Sequence, residues 1–342
     1  MWKHLKKNTS KPVVLYGMGD GADKVLSVCK KEGISVAGIF ASDEFARHND
    51  FHGYPVTTYA EAKKVFGKMI VLVCFGTSRP EVLFRIEAIA KEQELYIPDL
   101  PVYGDGLFTK EYAAAHQAEL EAVARHFSDD LPKRVWDCML AYRLSGDAVH
   151  LKNAESDPTE AWNNILQPTD HEHFLDLGAY RGDTVREFLA STNGYAAITA
   201  VEPEPKTYQK LCENTDGLHD FRRIHAAVGN YDGTCLFSAK KGRGSSVKAD
   251  GIEIPCLCVD GLSPAVPFSL VNMDIEGNER AAIEGMEETV RIYKPKLQIA
   301  AYHRVEDYFS IPLQILAIRP DYKVFIRHFP GIPAWDTNFY FI

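Results

Sequence analysis

Short runs rich in β-branched side chains alternate with stretches at helical spacing, and they do so twice along these 342 residues. That double rhythm constrains the fold more than any other feature. Strand, helix and strand in succession close as a right-handed crossover onto a parallel sheet with helices on both faces. In the first series, Pro12–Tyr16 reads as a buried strand that ends at Gly17-Met18-Gly19-Asp20-Gly21-Ala22. Helical spacing follows, with Val25, Leu26 and Val28-Cys29 opposite Lys24, Lys30 and Lys31, and Gly33 closes the helix. Ser35–Phe40 is the next strand and ends near Asp43. A helix around Tyr59–Phe66, a strand at Met69–Phe75, a helix after Pro80 and a short strand at Leu95–Ile97 complete the series.

From about Gly106 to Asn153 the pattern is helical without a clear strand, and Lys152–His171 is polar and turn-rich. The second series begins at His173, with strands at Phe174–Leu177, Ile198–Val201, Phe221–Ala226, Leu270–Met273 and Leu297–Ala301. Two extended runs, Tyr322–His328 and Asn338–Ile342, flank a Pro/Gly cluster and predict a terminal hairpin. The expected architecture is α/β with two doubly wound domains. A Rossmann-like or accessory domain spans 1–104, a helical connector packed between the two units spans 105–170, and a second doubly wound domain spans 171–342. The length suits two domains, each large enough for its own core.

Composition narrows the function classes. With 38 Lys plus Arg against 47 Asp plus Glu, the net charge of -9 argues against nucleic acid as a partner. No run approaches the ~20 apolar residues of a membrane span. Met1–Lys7 is basic but precedes no apolar run or cleavage site, so no secretory signal is expected. The seven cysteines are an odd, scattered set; Cys256-Leu257-Cys258 is the one close pair, expected to help fill a sheet face, and zinc spacing is lacking. The expected setting is the reducing cytoplasm.

The chemistry concentrates at strand ends of the second series. Phe174–Leu177 runs into Gly178-Ala179-Tyr180-Arg181-Gly182-Asp183-Thr184, a strand, a glycine turn and a helix start, with Asp183 or Thr184 placed to cap the helix. Such turns lie where open parallel sheets bind ligands. The spacing D-x-G-x-x-x-G puts Asp176 where a dinucleotide fold has its first glycine, which suits a cationic or hydroxyl-rich ligand better than a pyrophosphate. The next strand ends in Glu202-Pro203, where an acid can accept both hydroxyls of a ribose. Asp274 and Glu276 follow the fourth strand, and His303 follows the fifth, so all three point at one end of the sheet. Asp274 and His303 are the two candidates for a general base, and the choice between them stays open. No metal is assigned, although Asp274, Glu276 and His303 form an oxygen-rich set with one imidazole; alternatively, Glu276 bonds the backbone around Gly277. Lys240–Ser246 reads as a basic, glycine-rich loop, either a mobile surface loop or a lid over a bound ligand, and Trp335-Asp336-Thr337-Asn338 as a border of the same pocket.

Asp176–Gly182, Val201–Pro203 and Met273–Glu279, with its D-x-E-G-x-E signature, resemble the FkbM family of S-adenosylmethionine-dependent methyltransferases. Ala226–Gly229, Gly244–Ser246, Val259-Asp260 and the closing segments add to the resemblance, which covers about 171–342. It implies a seven-stranded methyltransferase sheet and methyl transfer from S-adenosyl-L-methionine, generally to a hydroxyl oxygen. By that resemblance Asp176, Gly178, Ala179, Gly182, Asp183 and Thr184 line the methionine side of the cofactor. Glu202 and Pro203 hold the ribose, Ala227 and Val228 flank the adenine, and Ser245 and Ser246 lie in a loop that closes on cofactor or acceptor. Asp274, Glu276 and His303 stand near the reacting methyl. Ala300-Ala301-Tyr302-His303 departs from the family, many of whose members carry an acid before the histidine.

The expected acceptor is a small hydroxylated molecule, such as a sugar or nucleotide-sugar. In the first domain, Gly17, Gly19, Gly21 and Ala22 match a G-x-G-x-x-A turn, and Asp43 stands in the acidic position after the second strand. This unit resembles the small Rossmann-like units of nucleotide-sugar-modifying proteins. Three roles stay open for it: binding a nucleotide or nucleotide-sugar, packing or homodimerisation without a ligand, or a redox role. The alternatives for the whole chain are a nucleotide-sensing protein with a silent second domain and an NAD-dependent oxidoreductase.

Overall fold

The computed structural model describes residues 1–7, 10–46, 50–128, 130–238, 246–247, 251–262 and 266–342. In the first half, helix α1 (Trp2–Lys7) precedes β1 (Val13–Tyr16), α2 (Asp20–Glu32) and β2 (Val36–Ala41). Then come β3 (Asp50–Phe51), β4 (Tyr54–Thr58), α3 (Tyr59–Phe66), β5 (Ile70–Val73), α4 (Pro80–Glu92) and β6 (Glu94–Tyr96). The strands form one sheet in the order β3-β4-β2-β1-β5-β6, parallel except for the β3–β4 pair. Its central strands are buried along their whole length, which is why they read as unbroken Val/Ile/Leu runs. Gly33 ends α2 in the left-handed conformation, as its position predicts. The β3–β4 hairpin is an addition to the predicted series.

Between the sheets lie α5 (Lys110–Ala115), α6 (Gln117–Ala124), α7 (Asp130–Ser145), α8 (Ala148–Ala154) and α9 (Pro158–Glu160), the last continuing into a π-helical turn at Ala161–Leu166. Val135, Trp136, Met139 and Tyr142 of α7 sit in one apolar cluster with Val14 and Val71 of the first sheet and Phe339 and Phe341 of the last strand. Truncating Trp136 in that setting costs about 3–5 kcal/mol. The polar, turn-rich reading of Lys152–His171 needs correction at its centre. Trp162, Ile165 and Leu166 pack on Phe174, Phe188 and Tyr340, and Glu160 takes Arg327 in a two-pronged ion pair at 2.6 and 3.0 Å.

The second half carries β7 (His173–Leu177), α10 (Asp183–Ser191), β8 (Ala197–Val201), α11 (Pro205–Asn214) and β9 (Phe221–Ile224). A small excursion follows, made of β10 (Ala227–Gly229), β11 (Gly233–Ser238), β12 (Ser246–Val247) and β13 (Ile252–Cys258). The chain then supplies β14 (Leu270–Met273), α12 (Glu279–Glu284), α13 (Glu287–Tyr293), β15 (Lys296–Ala300), α14 (Asp307–Ile318), β16 (Val324–His328) and β17 (Thr337–Phe341). Seven strands form the main sheet in the order β16-β17-β15-β14-β7-β8-β9, with β17 antiparallel to both of its neighbours. The seven strands and the terminal hairpin match the expectation. The separate four-stranded sheet, β10-β13-β11-β12, is an addition. Cys256 packs with Cys235 in its core, Cys258 Sγ donates to the Gly285 carbonyl at 2.9 Å, and all seven cysteines are free thiols.

The two main sheets meet carboxyl end to carboxyl end. The segment after β6 reaches the far side, where the Tyr103 N–H donates to the His303 carbonyl at 2.9 Å and the Tyr103 ring lies against Gly277. The loop after β5 pairs with the β16–β17 connection, Thr77 and Ile332 exchanging both backbone hydrogen bonds at 2.8 and 2.9 Å. Arg143 of α7 is buried between the halves; it donates to Asp99 at 2.8 Å and to the Val305 carbonyl at 3.2 Å, and it lies over Phe108 and Tyr308. Burial without these partners would cost several kcal/mol, so the paired arrangement fixes how the halves dock. No helix among the described residues is long and apolar enough to cross a membrane.

Candidate active site

The site begins with one carboxyl group inside a sheet. Asp176 lies on β7 opposite Asn272 of β14 and is fully buried. Asn272 Nδ2 donates to Asp176 Oδ1 at 2.8 Å, while Oδ2 has no hydrogen-bond partner. Burial, reinforced by the charges of Asp183, Asp274 and Glu202, pushes the Asp176 carboxyl up to about 8, against the pull of the Asn272 bond. Two residues on, the backbone turns at Gly178 with φ 85°, and a methyl group there would collide with the Asp274 carbonyl. Only glycine lets the first turn lie this close to β14. Gly182 (φ 81°) is the N-cap of α10 and offers no side chain, so neither Asp183 nor Thr184 caps the helix as expected; Asp183 is its first residue. Ala179 is buried beneath the turn.

Glu202 follows β8 and is also buried. Its two oxygens accept the Tyr180 and Glu204 N–H groups at 2.9 and 2.8 Å, so it ties the glycine turn to the Pro203 loop. Burial raises its carboxyl to about 7 despite those bonds. This bracing role is additional to the ribose contact that the sequence suggests. Farther out, Ala227 and Val228 lie in β10, Ala227 facing the small sheet's core, and the Val228 carbonyl accepts Asn278 Nδ2 at 2.6 Å. Ser246 falls in β12; Ser245, with 239–244, lies outside the described residues.

The densest charge lies beyond β14 and β15. His303 is completely buried, with Nε2 3.3 Å from Asp274 and 3.6 Å from Glu276, and Nδ1 3.0 Å from Glu279. Burial alone would lower the His303 pKa, but Glu279, Asp274 and Glu276 outweigh it and hold the imidazole up to about 10. The surrounding carboxylates thus favour its protonated form. Glu279, one of the groups it neutralises, is held below the usual carboxylate range although burial acts the other way. The Glu279 carboxylate also accepts the Ile275 and Gly277 N–H groups at 3.1 and 3.2 Å. The sequence reading offered that backbone role to Glu276 as an alternative; Glu279 fills it at Ile275 and Gly277, where Glu276 and Gly277 both have left-handed φ (59° and 92°).

The Asp274 side chain is 39 % exposed, with its Oδ1 buried and without a hydrogen-bond partner. Burial raises its pKa, the His303 charge opposing, and the Tyr302 hydroxyl donates to Oδ2 at 2.9 Å. Asp274, Glu279 and His303 also place one donor atom each within 4.8 Å of one another, the spacing of a cation site. Both imidazole nitrogens lie within ion-pair distance of carboxylates, while neither makes a hydrogen bond and Asp274 Oδ1 and Glu279 Oε2 are likewise without a hydrogen-bond partner. Three of the non-glycine residues with left-handed φ (Tyr180, Glu276 and Asp336) border this end of the sheet, the kind of strain that gathers at functional sites.

The other glycine turn is built differently. Gly17 (φ 112°) lies over Phe75, 2.6 Å from where its methyl would sit, and Gly21 presses on the Cys74 carbonyl. Gly19 is the N-cap of α2, and Ala22 is buried behind it. Asp43 is exposed in the turn after β2, while Ser42 meets the Tyr16 hydroxyl at 2.8 Å.

Residues 176–323 match the family described as the methyltransferase FkbM domain. The whole chain is similar to the crystal structure of methyltransferase FkbM from Methylobacillus flagellatus KT, with a TM-score of 0.76 at 19 % identity, covering 98 % of this chain and 90 % of that one. That likeness spans both sheets. Other matches are a precorrin-6y C5,15-methyltransferase from Geobacter metallireducens (TM-score 0.33, 14 % identity, 53 % of this chain and 84 % of that one) and Aeropyrum pernix fibrillarin in complex with natively bound S-adenosyl-L-methionine (0.32, 14 %, 51 % and 67 %). No curated protein matches the chain.

Proposed function

Taking the chain as a methyltransferase of the FkbM family, we propose that it moves a methyl group from S-adenosyl-L-methionine to a hydroxyl oxygen of a sugar or another small hydroxylated metabolite. The observation that carries this reading is Asp176 Oδ2, a buried acceptor without a protein partner at the foot of a glycine turn. Around it Glu202, Asp274, Glu276 and Glu279 outnumber the buried His303. Such a surplus of carboxylates favours a cationic ligand. Asp176 and the Gly178–Gly182 turn fit the ammonium end of the cofactor, Glu202 the ribose, and Ala227-Val228 the adenine side. When bound, the cofactor supplies an electrophilic methyl on a sulfonium; the rest is positioning and electrostatics.

The acceptor hydroxyl must lose its proton as the new bond forms. His303, its protonated form favoured by the surrounding carboxylates and its ring fixed between Glu279 and Asp274, is poorly suited to take it. Asp274 is the base: its side chain is partly exposed, its basicity is increased by burial, and Tyr302 and His303 hold its orientation. Glu279 is a positioning residue, which keeps both the imidazolium and the Ile275–Gly277 backbone in place. Mass spectrometry of the purified protein tests the donor and should reveal S-adenosyl-L-methionine or its demethylated product. Finding NAD instead would reverse the reading in favour of an oxidoreductase.

A further inference from the structure

The facing carboxyl ends of the two sheets border a half-open cavity of about 220 Å³ between the loop after β5 (76–79) and the β16–β17 connection (331–336). Its floor is fixed from both halves. The Thr77–Ile332 backbone pair closes one side, and the Trp335 ring lies so close over Gly76 that any side chain there would collide with it. On one flank, Phe75 continues to the Gly17 turn. On the other, Asp336 (φ 61°) precedes Thr337, whose carbonyl accepts the Ala301 N–H at 3.0 Å, so this end of the cavity lies at the end of β15 that leads into Tyr302 and His303. The cavity is thus built jointly by both halves, at the same carboxyl end of the sheet as the proposed base.

Its lining is two-sided. Trp335, Ile332 and Pro333 offer apolar surface, while Thr77, Ser78, Arg79 and Asp336 offer hydroxyl, guanidinium and carboxylate groups. A pyranose has the same division, with C–H groups on its faces and hydroxyls around its edge. The volume, about seven waters' worth, takes one ring and its substituents; it falls short of the ~300 Å³ at which pockets for larger ligands begin. We propose that this interdomain cavity is the acceptor subsite and binds a single sugar ring. One face of the ring lies on Trp335, and its hydroxyls bond to Thr77, Ser78 and Asp336, so that one hydroxyl is directed toward Asp274. The inference rests on the methyl-transfer reading and gives the first half of the chain a direct part in acceptor binding.

The test uses the full chain. Calorimetry first measures S-adenosyl-L-methionine binding. Saturation-transfer NMR and radiolabelled methyl transfer are then run with methyl α-D-glucopyranoside, methyl α-D-galactopyranoside, methyl α-L-rhamnopyranoside and methyl β-D-glucuronide, with glycerol as a ringless control. At least one pyranoside should bind and accept methyl in preference to glycerol. Ser78→Ala should raise its KM about tenfold with kcat and cofactor affinity unchanged, the loss of one hydrogen bond. Trp335→Ala should abolish the NMR response, and Trp335→Phe should retain it. Cofactor binding without a response to any pyranoside, or Ser78→Ala with unchanged KM, overturns this inference alone. Failure to bind the cofactor overturns the methyl-transfer reading, and this inference falls with it.

Discussion

Two glycine turns stand at corresponding places in the two halves, each after the first strand of a parallel sheet and each leading into a helix. Gly178–Gly182 is bordered by the buried carboxyls of Asp176 and Glu202. Gly17–Gly21 is bordered by Phe75, the Cys74 carbonyl and a Tyr16–Ser42 hydroxyl pair, and the nearby Asp20 and Asp23 side chains are 86 % and 49 % exposed. A glycine turn fixes a backbone shape; the side chains buried against it determine what charge that shape can receive. Turns at corresponding places thus have different chemistry in the two halves.

The largest expected effect lies at the charged turn. Asp274→Asn should lower turnover by roughly 10²–10⁴-fold, the usual worth of a general base, while calorimetry shows cofactor affinity within a few-fold of wild type. Unchanged turnover would remove Asp274 from the chemistry.

Next comes a matched pair of glycine substitutions. Gly178→Ala combines φ 85° with a collision against the Asp274 carbonyl, and should cost on the order of 3 kcal/mol in urea denaturation and eliminate cofactor binding. Gly19→Ala meets open space, but φ 95° with ψ -159° is a conformation essentially restricted to glycine, and it should cost about 2 kcal/mol. Equal costs would show that the two turns are equally confined.

How pH acts sharpens the contrast further. A cationic ligand favours ionised Asp176 and Glu202, whose pKa values are raised to about 8 and about 7. Binding should therefore release protons, and affinity should fall by up to tenfold per unit and per group as pH drops below those values. Titrations in buffers of different ionisation enthalpy measure the release, and Asp176→Asn should reduce it. Without ligand, the folded chain retains protons on these two groups that the unfolded chain has already lost. Their contribution therefore makes stability decrease as pH rises from about 4 to about 8. Melting curves across that range should flatten in Asp176→Asn.

Most of both sheets was legible in the sequence, because their central strands are buried on both faces and read as continuous apolar runs. Tyr54–Thr58 was not, since Pro55 and two threonines make it resemble a turn. Nor was the four-stranded sheet, whose strands are short and interrupted by Gly233 and Pro255. Pro158–Leu166 resembled a loop because Asn163 and Asn164 separate the residues that pack. At the site, Asp176, Glu202, Asp274 and His303 were legible as strand-end residues. The role of Glu279 was hidden because its spacing does not reveal that the chain turns at the left-handed Glu276-Gly277 step and brings the Ile275 and Gly277 N–H groups to its carboxylate. One wall of the joint cavity, at Trp335-Asp336, was legible, whereas the wall from 76–79 was not, because it depends on how the two sheets dock.

The apolar cluster that runs from Val14 through Trp136 to Phe341 has a thermodynamic consequence. Because α7 carries it without interruption from one sheet to the other, heating should melt both halves in a single calorimetric transition. The halves would then behave as one cooperative body whose parts cannot be exchanged like beads on a string.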